Sequence, residues 1–450
     1  MKALLVSTPA MGHLNPLLGI GRMLIADGHE VMGVSSSYLQ SRVEGIGAQF
    51  RSFLGDANVD PTRDLGKILP ELMQNPPPSP PDMMRIILQR AFIDRMLPQY
   101  ETIKQVLREY PADIIIGDHT MCGVLPLLFG PRSERPPIAL LGTTYLSSRR
   151  DDGAPSEFGI PLATTDQERA QCLALARTYD ETVYRPVCRR MNEHLGRIGI
   201  PPVEMNFFHG MAERPDIYLQ LTVPGFEFPR RELPPSVRFV GPLPITPNQA
   251  PVPSWADDLD EAQKIVLVTQ GTLTNDDFSQ LVLPTIEALA DQPDLLVMVT
   301  LGGKPVAALP GPLPGNVRVA AYLPFEWALS KTDAFVTNGG YGSINQALSF
   351  GVPLVTAGRL ADRGDVGARV AWSGVGINLA TDTPTPDALR SAVRRVLDEP
   401  QFRERAAAFA AAARKIDTKS EVLRILKRLV KTDPRRQGGP ATLARSVAAE

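Results

Sequence analysis

The stretch FVTNGGYGSINQALSFGVPLV, residues 335–355, decides the fold of this chain. It begins with a short apolar run, passes through a turn that contains three glycines, and continues as a helix predicted from Ile344 to Ser349 that stops at Gly351. A second apolar run follows directly and predicts the next strand. A buried strand, a tight turn, a helix and another buried strand form the repeating unit of a parallel sheet.

The same alternation of strands and helices runs through both halves of the chain. The predicted strands are residues 3–6, 30–34, 113–118 and 137–142 in the first half, and 264–271, 295–302, 317–323, 334–340 and 352–357 in the second. A helix from about Asn15 to Asp27 connects the first two strands. Because these runs have no polar face, we expect an α/β fold of doubly wound sheets with right-handed crossovers.

A proline-rich stretch separates the two halves. GPLPITPNQAPVPSW, residues 241–255, predicts a stiff and extended connector. We therefore expect two Rossmann-like domains, over residues 1–240 and 256–415, that face each other across a central cleft. A further helix is expected over 416–432, as a candidate to pack back on the first domain, and 433–450 are expected to form a disordered tail.

The composition excludes several classes of function. A formal net charge of −2 gives no sign of a nucleic-acid partner or of an anionic membrane surface. The three cysteines, Cys122, Cys172 and Cys188, form no CxxC pair, which indicates a reduced, cytoplasmic setting. The first apolar run ends by Ser7, too early for a secretory signal, and no run approaches the roughly 18 apolar residues of a membrane span. We expect no integral membrane segment.

The glycine turn at 338–343 is the strongest candidate for a binding site. Gly340 and Gly342 allow the backbone to approach a ligand closely, and the free N–H groups of a helix start point towards it. The helix dipole adds about 0.3–2 kcal/mol for a bound anion, and Ser343 adds a hydroxyl. The stretch is neither a Walker A loop nor a complete GxGxxG fingerprint. A tight turn that needs glycine for steric reasons alone is the alternative.

Two other segments support a phosphate and nucleobase site in the second half. VTQGTLTN, residues 268–275, is another turn after a strand, and Thr272 offers a hydroxyl that can reach a second phosphate oxygen. In AYLPFEWAL, residues 321–329, Tyr322 comes just after a predicted strand, so its ring can stack on a nucleobase. Packing of that ring in the core is an equally good interpretation.

His13 lies where the first predicted strand gives way to a helix. A simple helix cap is one interpretation. The other is a general base, which requires a carboxylate to hold one ring nitrogen while the second stays free. Asp118 ends the strand ADIIIGD, and parallel strands bring their carboxyl ends to one edge of the sheet. We therefore expect His13 and Asp118 to meet, whereas His119 has no comparable setting.

These motifs together resemble the GT-B nucleotide-sugar-dependent glycosyltransferases of family 1, in particular the bacterial natural-product (macrolide) type. The resemblance rests on GHLNPLLGIGRMLIADGHEV (12–31), FVGPLP (239–244), VTQGT (268–272), the glycine turn and ARVAWSGVGINL (368–379). It covers nearly the whole chain and is weak only from about Asp56 to Gly210. It implies that the first domain binds the acceptor and the second binds the nucleotide-sugar donor.

The resemblance also implies a role for each candidate residue. His13 matches the general base of the family and Asp118 the aspartate that orients it. The family has a tryptophan stacked on the base where Tyr322 stands, and the backbone of the next residue addresses the uracil edge. The matching donor-binding positions are Thr272, Tyr322, Leu323, Asn338, Gly340, Gly342 and Ser343.

Two departures from the family pattern concern the donor. In RLADRGDV, residues 359–366, the family has an Asp/Glu–Gln pair that holds the sugar hydroxyls, and the glutamine is absent here. Either Asp362 or Asp365 stands in for the pair. Asn338 occupies the place of a histidine that touches the diphosphate; its amide donates hydrogen bonds but carries no charge.

The expected function is an inverting glycosyltransferase that moves a sugar, typically a hexose, from a UDP-sugar or dTDP-sugar to a hydroxyl of an apolar phenolic, polyketide or terpenoid acceptor. No cofactor or metal is expected, because a helix start can offset the charge of the leaving diphosphate. The acidic DLD at 258–260 is interpreted as solvated charge. The alternatives are a sugar-nucleotide 2-epimerase, which needs extra carboxylates about the sugar, and a non-catalytic nucleotide-sugar-binding protein, which only Asn338 favours.

Overall fold

A computed structural model describes residues 1–245, 250–259, 264–272, 275 and 277–437 of the chain. Within them, two parallel sheets carry the fold. The strands of the first sheet are β1 (Lys2–Val6), β2 (Glu30–Ser35), β3 (Gln49–Ser52), β4 (Ile114–Asp118), β5 (Ile138–Gly142), β6 (Ile217–Gln220) and β7 (Val237–Phe239). Those of the second are β8 (Lys264–Thr269), β9 (Leu295–Thr300), β10 (Val317–Ala320), β11 (Ala334–Thr337), β12 (Leu354–Thr356) and β13 (Gly376–Asn378).

Each sheet reverses its strand order once. The orders are β3-β2-β1-β4-β5-β6-β7 and β10-β9-β8-β11-β12-β13, and the paired strands run parallel. The reversals fall between β1 and β4 and between β8 and β11. Ligands of doubly wound sheets bind at the carboxyl edge of such switch points. The loops after these four strands are therefore the places to look for a site.

Helices connect the strands and cover both sheets. In the first half they are α1 (Met11–Ala26), α2 (Gln40–Glu44), α3 (Pro61–Ile68), α4 (Pro80–Ile87), α5 (Met96–Glu109), α6 (Leu125–Phe129), α7 (Asp166–Tyr179), α8 (Arg185–Gly196) and α9 (Phe207–Glu213). They continue with α10 (Val282–Leu289), α11 (Phe325–Lys331), α12 (Tyr341–Ser349), α13 (Arg363–Ser373), α14 (Pro386–Asp398), α15 (Pro400–Arg414), α16 (Thr418–Lys431) and α17 (Pro434–Gln437). Among the described helices, none combines the length and apolar character that a membrane crossing requires.

The central strands are apolar throughout because helices cover both faces of the sheet. In β4, Ile115 packs into one hydrophobic layer, whereas Ile114 and Ile116 pack into the opposite layer. All three side chains are fully buried. Burial of one such side chain stabilises the fold by about 1.5–3 kcal/mol. The two layers hold β4 in place, and with it the aspartate at its end.

Several predicted boundaries differ from the structure. The strands predicted to end at residues 271, 302 and 323 end two or three residues earlier, as β8, β9 and β10. Three further boundaries are wrong at the site itself. α1 begins at Met11 rather than Asn15, so His13 is the third residue of a helix and not part of a turn. α12 begins at Tyr341 rather than Ile344, and the strand before it ends at Thr337 instead of residue 340. The first turns, MGHL in α1 and YGSI in α12, mix apolar residues with glycine and a polar residue and lack the apolar periodicity by which a helix is recognised in sequence, so both helices were predicted too short.

The prediction also missed four short strands, β3, β6, β7 and β13. β3 and β6 have four residues each, and β7 and β13 have three. So few residues carry no readable periodicity. Their place in the sheet depends on the neighbouring strand, which a local pattern does not contain.

The chain returns to the first sheet after the second one is complete. Val422 and Leu426 of α16 are fully buried in the same hydrophobic layer as Leu17 of α1. Lys427 adds an ion pair with Asp27, 2.6 Å between Nζ and Oδ2. The last long helix therefore covers the first domain.

The expected disordered tail is wrong for its first residues. Asp433 is fully buried, and its carboxylate accepts from Arg132 at 3.2 Å and from Arg435 at 2.9 Å. These contacts fix α17 against the first domain. Residues 438–450, the rest of the expected tail, lie outside the described residues.

The acidic stretch next to the connector lies far from the switch points. Asp258 pairs with Arg318, 2.5 Å between Oδ2 and Nε, and Arg318 lies near the start of β10. The pair is therefore at the amino edge of the second sheet, opposite the edge where ligands bind. Asp260, and residues 246–249 of the expected connector, lie outside the described residues.

Candidate active site

A histidine–aspartate pair lies at the first switch point. Asp118 ends β4, and His13 lies in the first turn of α1, the helix that follows β1. Because β1 and β4 are neighbours in the sheet, their carboxyl ends bring the two side chains together, with 2.9 Å between Nδ1 of His13 and Oδ1 of Asp118. The aspartate is fully buried, whereas the histidine side chain keeps 23% of its exposure. This leaves Nε2 of His13 as the nitrogen available to a substrate.

Two threonines complete the surroundings of Asp118. Its carboxylate lies within hydrogen-bonding distance of five donor groups: Nδ1 of His13, and the backbone N–H and the hydroxyl of both Thr8 and Thr120, at 2.7–3.0 Å. A buried carboxylate is costly unless it is hydrogen-bonded in this way. The donors fix the carboxylate and, through it, the imidazole.

The electrostatics of the pair favour an ionised Asp118. Burial alone would raise the pKa of Asp118, but the charge and hydrogen bond of His13 hold it well below its usual range. For His13 the effects have the opposite sign. Burial lowers the pKa of His13, but the attraction of Asp118, with a contribution from Asp362, outweighs burial and raises this pKa above its usual value. Such a pair accepts a proton at the free nitrogen of His13 more readily than an isolated buried histidine does.

His119, for which the sequence indicated no role, belongs to this cluster. Its ring stacks on that of His13 with 5.3 Å between the centroids and 19° between the planes. Its Nδ1 lies 2.9 Å from the hydroxyl of Thr143, which follows β5. Burial, together with the charge of a protonated His13, lowers the pKa of His119 to about 3. The only sequence signal was its position next to Asp118.

The same three side chains include types that can bind a metal ion. The ligand atoms of His13, Asp118 and His119 lie within 4.8 Å of one another. The carboxylate, however, is already surrounded by five donors, and the two imidazoles are stacked, so their lone pairs lie in nearly parallel planes and do not converge on one point. A tetrahedral ion needs convergent lone pairs at about 2.0–2.1 Å. The arrangement fits a hydrogen-bonded acid–base pair better than a metal centre.

The glycine turn lies at the second switch point. Gly340 is the N-cap of α12, and Gly342 and Ser343 are in its first turn, where the free N–H groups of a helix lie. The hydroxyl of Ser343 donates to the carbonyl of Gly340 at 2.9 Å. Gly339, with φ at +100°, turns the chain from β11 into the helix. The helix therefore points its amino end at the carboxyl edge of the sheet.

Asn338 connects the loops that follow the two central strands of the second sheet. Its side chain is buried, and its amide N–H donates to the carbonyl of Gln270, just beyond β8. The sequence predicted a contact with phosphate only. In the structure, at least one N–H of the amide serves to hold the two loops together, so the residue also shapes the turn.

Three further candidates lie along the same edge. Tyr322 is 47% exposed and its ring lies against Gly303, where a Cβ would come within 2.8 Å of the ring. An exposed ring on a flat glycine surface is suited to stacking, and the core-packing interpretation is wrong. Leu323 is buried, so only its backbone can address a ligand. Thr272 is exposed.

The structure separates the two aspartates that the sequence left equivalent. The segment is not a continuous loop: α13 begins at Arg363, which puts Asp362 at the N-cap and Asp365 inside the first turn. Asp365 is buried and accepts from the N–H of Gly159 at 2.8 Å. Asp362 is partly exposed, accepts from the hydroxyl of Thr144 at 2.5 Å, and acts on the pKa of His13. Both aspartates therefore contact the first domain, but only Asp362 keeps part of its side chain exposed and acts on His13.

A buried network, which the sequence did not reveal, joins the two sheets next to Asp365. Arg369 of α13 donates to Glu227 at 2.6 Å and lies 4.2 Å above the ring of Tyr145. The hydroxyl of Tyr145 in turn donates to Glu157, whose φ is +74°. Burial and the charge of Asp365 raise the pKa of Glu157 to about 8. Single residues scattered from Tyr145 to Arg369 give no local signal of such a network.

Comparison with known proteins identifies sequence relatives for most of the chain. Residues 286–429 match the family described as Erythromycin biosynthesis protein CIII-like, C-terminal domain. The 4'-demethylrebeccamycin synthase of Lentzea aerocolonigenes is 36% identical over 416 residues, which are 90% of this chain and 94% of that protein. The UDP-glucosyltransferase avaP of Aspergillus versicolor is 34% identical over 424 residues, 89% of this chain and 90% of that protein.

A solved structure matches the whole architecture. The calicheamicin glycosyltransferase CalG4 superimposes with a TM-score of 0.72 at 19% identity, over 96% of this chain and 98% of that chain. The two sheets and the helices around them are therefore arranged as in GT-B proteins.

Proposed function

The chain belongs to the family 1 natural-product glycosyltransferases, enzymes that transfer a sugar from a nucleotide sugar to a small-molecule acceptor, and we propose that its donor is a UDP-sugar and its acceptor an apolar compound with a nucleophilic hydroxyl. The observation that carries the proposal is the contact of 2.9 Å between His13 and Asp118, at the edge of the cleft that Asp362 faces from the other domain. An acid–base pair on one domain and a sugar-facing carboxylate on the other are what transfer between two substrates requires.

In the proposed reaction, Nε2 of His13 takes the proton from the acceptor hydroxyl. The hydroxyl oxygen forms a bond to the anomeric carbon from one side while the bond from that carbon to the diphosphate oxygen breaks on the other, so the configuration inverts. Asp118 holds the Nδ1–H tautomer and stabilises the imidazolium that forms. A single displacement needs no covalent intermediate, which agrees with one base at the acceptor side.

The leaving diphosphate is proposed to bind at the amino end of α12. Backbone N–H groups and the hydroxyl of Ser343 lie there, and the helix dipole favours an anion at this place. Asn338 lies in the same turn and donates to Gln270, two residues before Thr272, and Tyr322 offers an exposed ring for the nucleobase. UDP-glucose is the first donor to test, because a relative that is 34% identical is named a UDP-glucosyltransferase. A dTDP-sugar is the alternative donor.

Asp362 is proposed to hold the hydroxyls of the donor sugar. Its side chain is partly exposed at the cleft, and its carboxylate accepts from the hydroxyl of Thr144, which belongs to the first domain. Asp365 is excluded from this role because its side chain is buried and already contacts Gly159 and Arg369. Asp362→Ala should therefore weaken binding of the donor more than Asp365→Asn does.

The acceptor is proposed to be apolar and bound by the first domain. The half-buried side chains of Met84, Phe92, Phe158 and Met205 pack around the hydrophobic layer of this domain, and Phe158 lies 3.8 Å from Tyr179 between ring centroids. Phe207 and Phe208 belong to the core itself. Flexible Met and aromatic side chains suit a flat or branched apolar compound.

Catalysis is proposed to need no metal, since the helix start and the turn hydroxyls offset the charge of the diphosphate. A cytoplasmic location is proposed as well, because the three cysteines are free.

The test is a screen of nucleotide sugars against apolar alcohols and phenols, read by mass spectrometry. We expect transfer to at least one acceptor by the parent chain. His13→Ala should keep the dissociation constant of UDP and lose about 10²–10⁴-fold in transfer to a weakly acidic alcohol. The matched control is His29→Ala, which lies beyond the end of α1 and should transfer normally. Near-normal transfer by His13→Ala to such an alcohol would contradict the proposal.

A further inference from the structure

The second histidine of the cluster has no part in the proton transfer described above. His119 follows Asp118 directly, is 6% exposed, and stacks nearly parallel on His13. It is the only aromatic neighbour of His13 among the described ring pairs. We propose that His119 is a positioning residue: its ring holds the imidazole of His13 in the plane in which Nδ1 meets Asp118 and Nε2 faces the acceptor. The proposal rests on the role of His13 as the base.

The need for such a support follows from the position of His13. It lies in the first turn of a helix that has no side-chain cap, and its ring is partly open to the cleft. The covalent bond to Cβ and the hydrogen bond from Nδ1 to Asp118 fix two points of the ring, but its plane can still tilt about the line between them. A flat partner on one face removes this freedom, since aromatic rings in contact prefer a defined offset geometry.

His119 is itself held firmly in place. His119 is the first residue after the buried strand β4, and its Nδ1 contacts the hydroxyl of Thr143 at 2.9 Å, just past the neighbouring strand β5. Two strands of the same sheet therefore fix the supporting ring. A ring anchored in this way can orient a more mobile one.

The support must also stay uncharged when His13 accepts a proton. The groups that face His13 are Asp118 and His119, at the end of β4, and Asp362, at the start of α13; those that face His119 are His13 and Asp118. Burial and the charge of His13 lower the pKa of His119. His119 therefore stays neutral when His13 is protonated, and only one cation lies beside Asp118. An imidazole combines a flat face, an anchoring nitrogen and this neutrality.

The variants of the test separate the ring from its nitrogen. His119→Phe keeps a flat ring without the contact to Thr143, whereas His119→Ala removes both. The readouts are kcat and its dependence on pH, the dissociation constant of UDP, and the titration of His13 by NMR in the full chain with ¹³C-labelled histidine. His13 is one of five histidines, and its signal is assigned with His13→Gln. The titration needs no substrate, so it tests the proposal even if the proposed reaction is wrong.

We expect His119→Phe to transfer within about threefold of the parent and to keep the titration midpoint of His13. His119→Ala should lose about tenfold or more in kcat without a change in the affinity for UDP, because a displaced base forfeits part of the roughly 10²–10⁴-fold that a positioned general base contributes. In His119→Ala the midpoint of His13 should also move down towards 6.5, because a freed imidazole loses part of its contact with Asp118. Thr143→Val should give a smaller loss in the same direction, and it provides the test if His119→Phe does not fold.

An unchanged titration midpoint of His13 and unchanged kcat in His119→Ala would overturn the proposal. So would equal losses in His119→Phe and His119→Ala in folded protein, since the face of the ring would then have no function.

Discussion

Arg369 and Glu227 form an ion pair across the two domains, with 2.6 Å between Nε and Oε2, and both side chains are at most 2% exposed. Arg369 lies in α13 of the second domain and Glu227 follows β6 of the first. The guanidinium also lies 4.2 and 4.4 Å from the ring centroids of Tyr145 and Phe228. Asp362 lies at the N-cap of α13, the helix that carries Arg369. The contact therefore sets the distance between Asp362 and the His13–Asp118 pair on the opposite domain.

Removal of this arginine should destabilise the protein strongly. Arg369→Ala leaves the buried carboxylate of Glu227 without its partner, and the loss of one member of a buried pair typically costs about 3–5 kcal/mol. The free energy of unfolding in urea measures the effect. Arg395→Ala breaks a pair that is largely exposed and should cost less than about 0.5 kcal/mol. Equal costs for the two variants would show that the buried pair does not hold the domains.

Asp118→Asn should change both the level and the pH dependence of transfer. Asp118 raises the pKa of His13, whereas burial lowers it. His13 acts as a base when neutral, so the parent loses activity as the pH falls through this raised pKa. Without the charge of Asp118 burial prevails, and the acid limb of kcat should move to lower pH while its plateau falls. Asp166→Asn, at a fully exposed position, is the control. An acid limb that stays in place would contradict the pairing.

Asn338 should contribute to donor binding as a neutral hydrogen-bonding group. Asn338→Ala removes the amide that holds Gln270 and borders the diphosphate site, and it should weaken binding of UDP by about 1–3 kcal/mol. Asn338→His should preserve or strengthen binding, because the family resemblance implies a histidine at this place. Calorimetry with UDP measures both. If both variants bind UDP like the parent, Asn338 is a turn residue and nothing more.

Glu157 should make the folded protein less stable as the pH rises. Its pKa is raised from 4.5 to about 8, mainly by burial and by the charge of Asp365. The folded chain therefore binds one proton more than the unfolded chain between these values, and its stability should fall with pH in this window by at most about 1.4 kcal/mol per unit. Glu157→Gln should flatten the curve, and Glu404→Gln, at an exposed position, should leave it unchanged. A parent curve that rises from pH 5 to 8 relative to that of Glu157→Gln would refute this.

Single-turnover transfer should persist in excess EDTA. The turn offers N–H and hydroxyl donors at the start of α12, and the helix dipole supplies roughly half a positive charge. Mg²⁺ can still accelerate release of the nucleoside diphosphate, so modest stimulation of steady-state turnover is compatible with this account. A complete loss after chelation that Mg²⁺ or Mn²⁺ restores would replace the helix account by metal catalysis.

The sequence by itself determined the two parallel sheets and the position of the His13–Asp118 pair. Buried parallel strands are apolar along their whole length, and a residue at a strand end keeps its place in the sheet whatever the helices around it do. For this reason the meeting of His13 with Asp118 was predictable from two distant segments. The starts of α1 and α12 were not, because their first turns mix apolar residues with glycine and a polar residue and show no apolar pattern.

Only the tertiary structure distinguished Asp362 from Asp365 and revealed the roles of His119 and Arg369. The two aspartates are the same residue type three positions apart. Which of them stays partly exposed depends on where α13 begins and on which residues of the first domain contact each carboxylate. The partners of His119 and Arg369 come from other strands or from the other domain. Contacts of this kind arise when the sheets pack, and local sequence patterns do not contain them, because they depend on the distance and orientation between elements far apart in the chain.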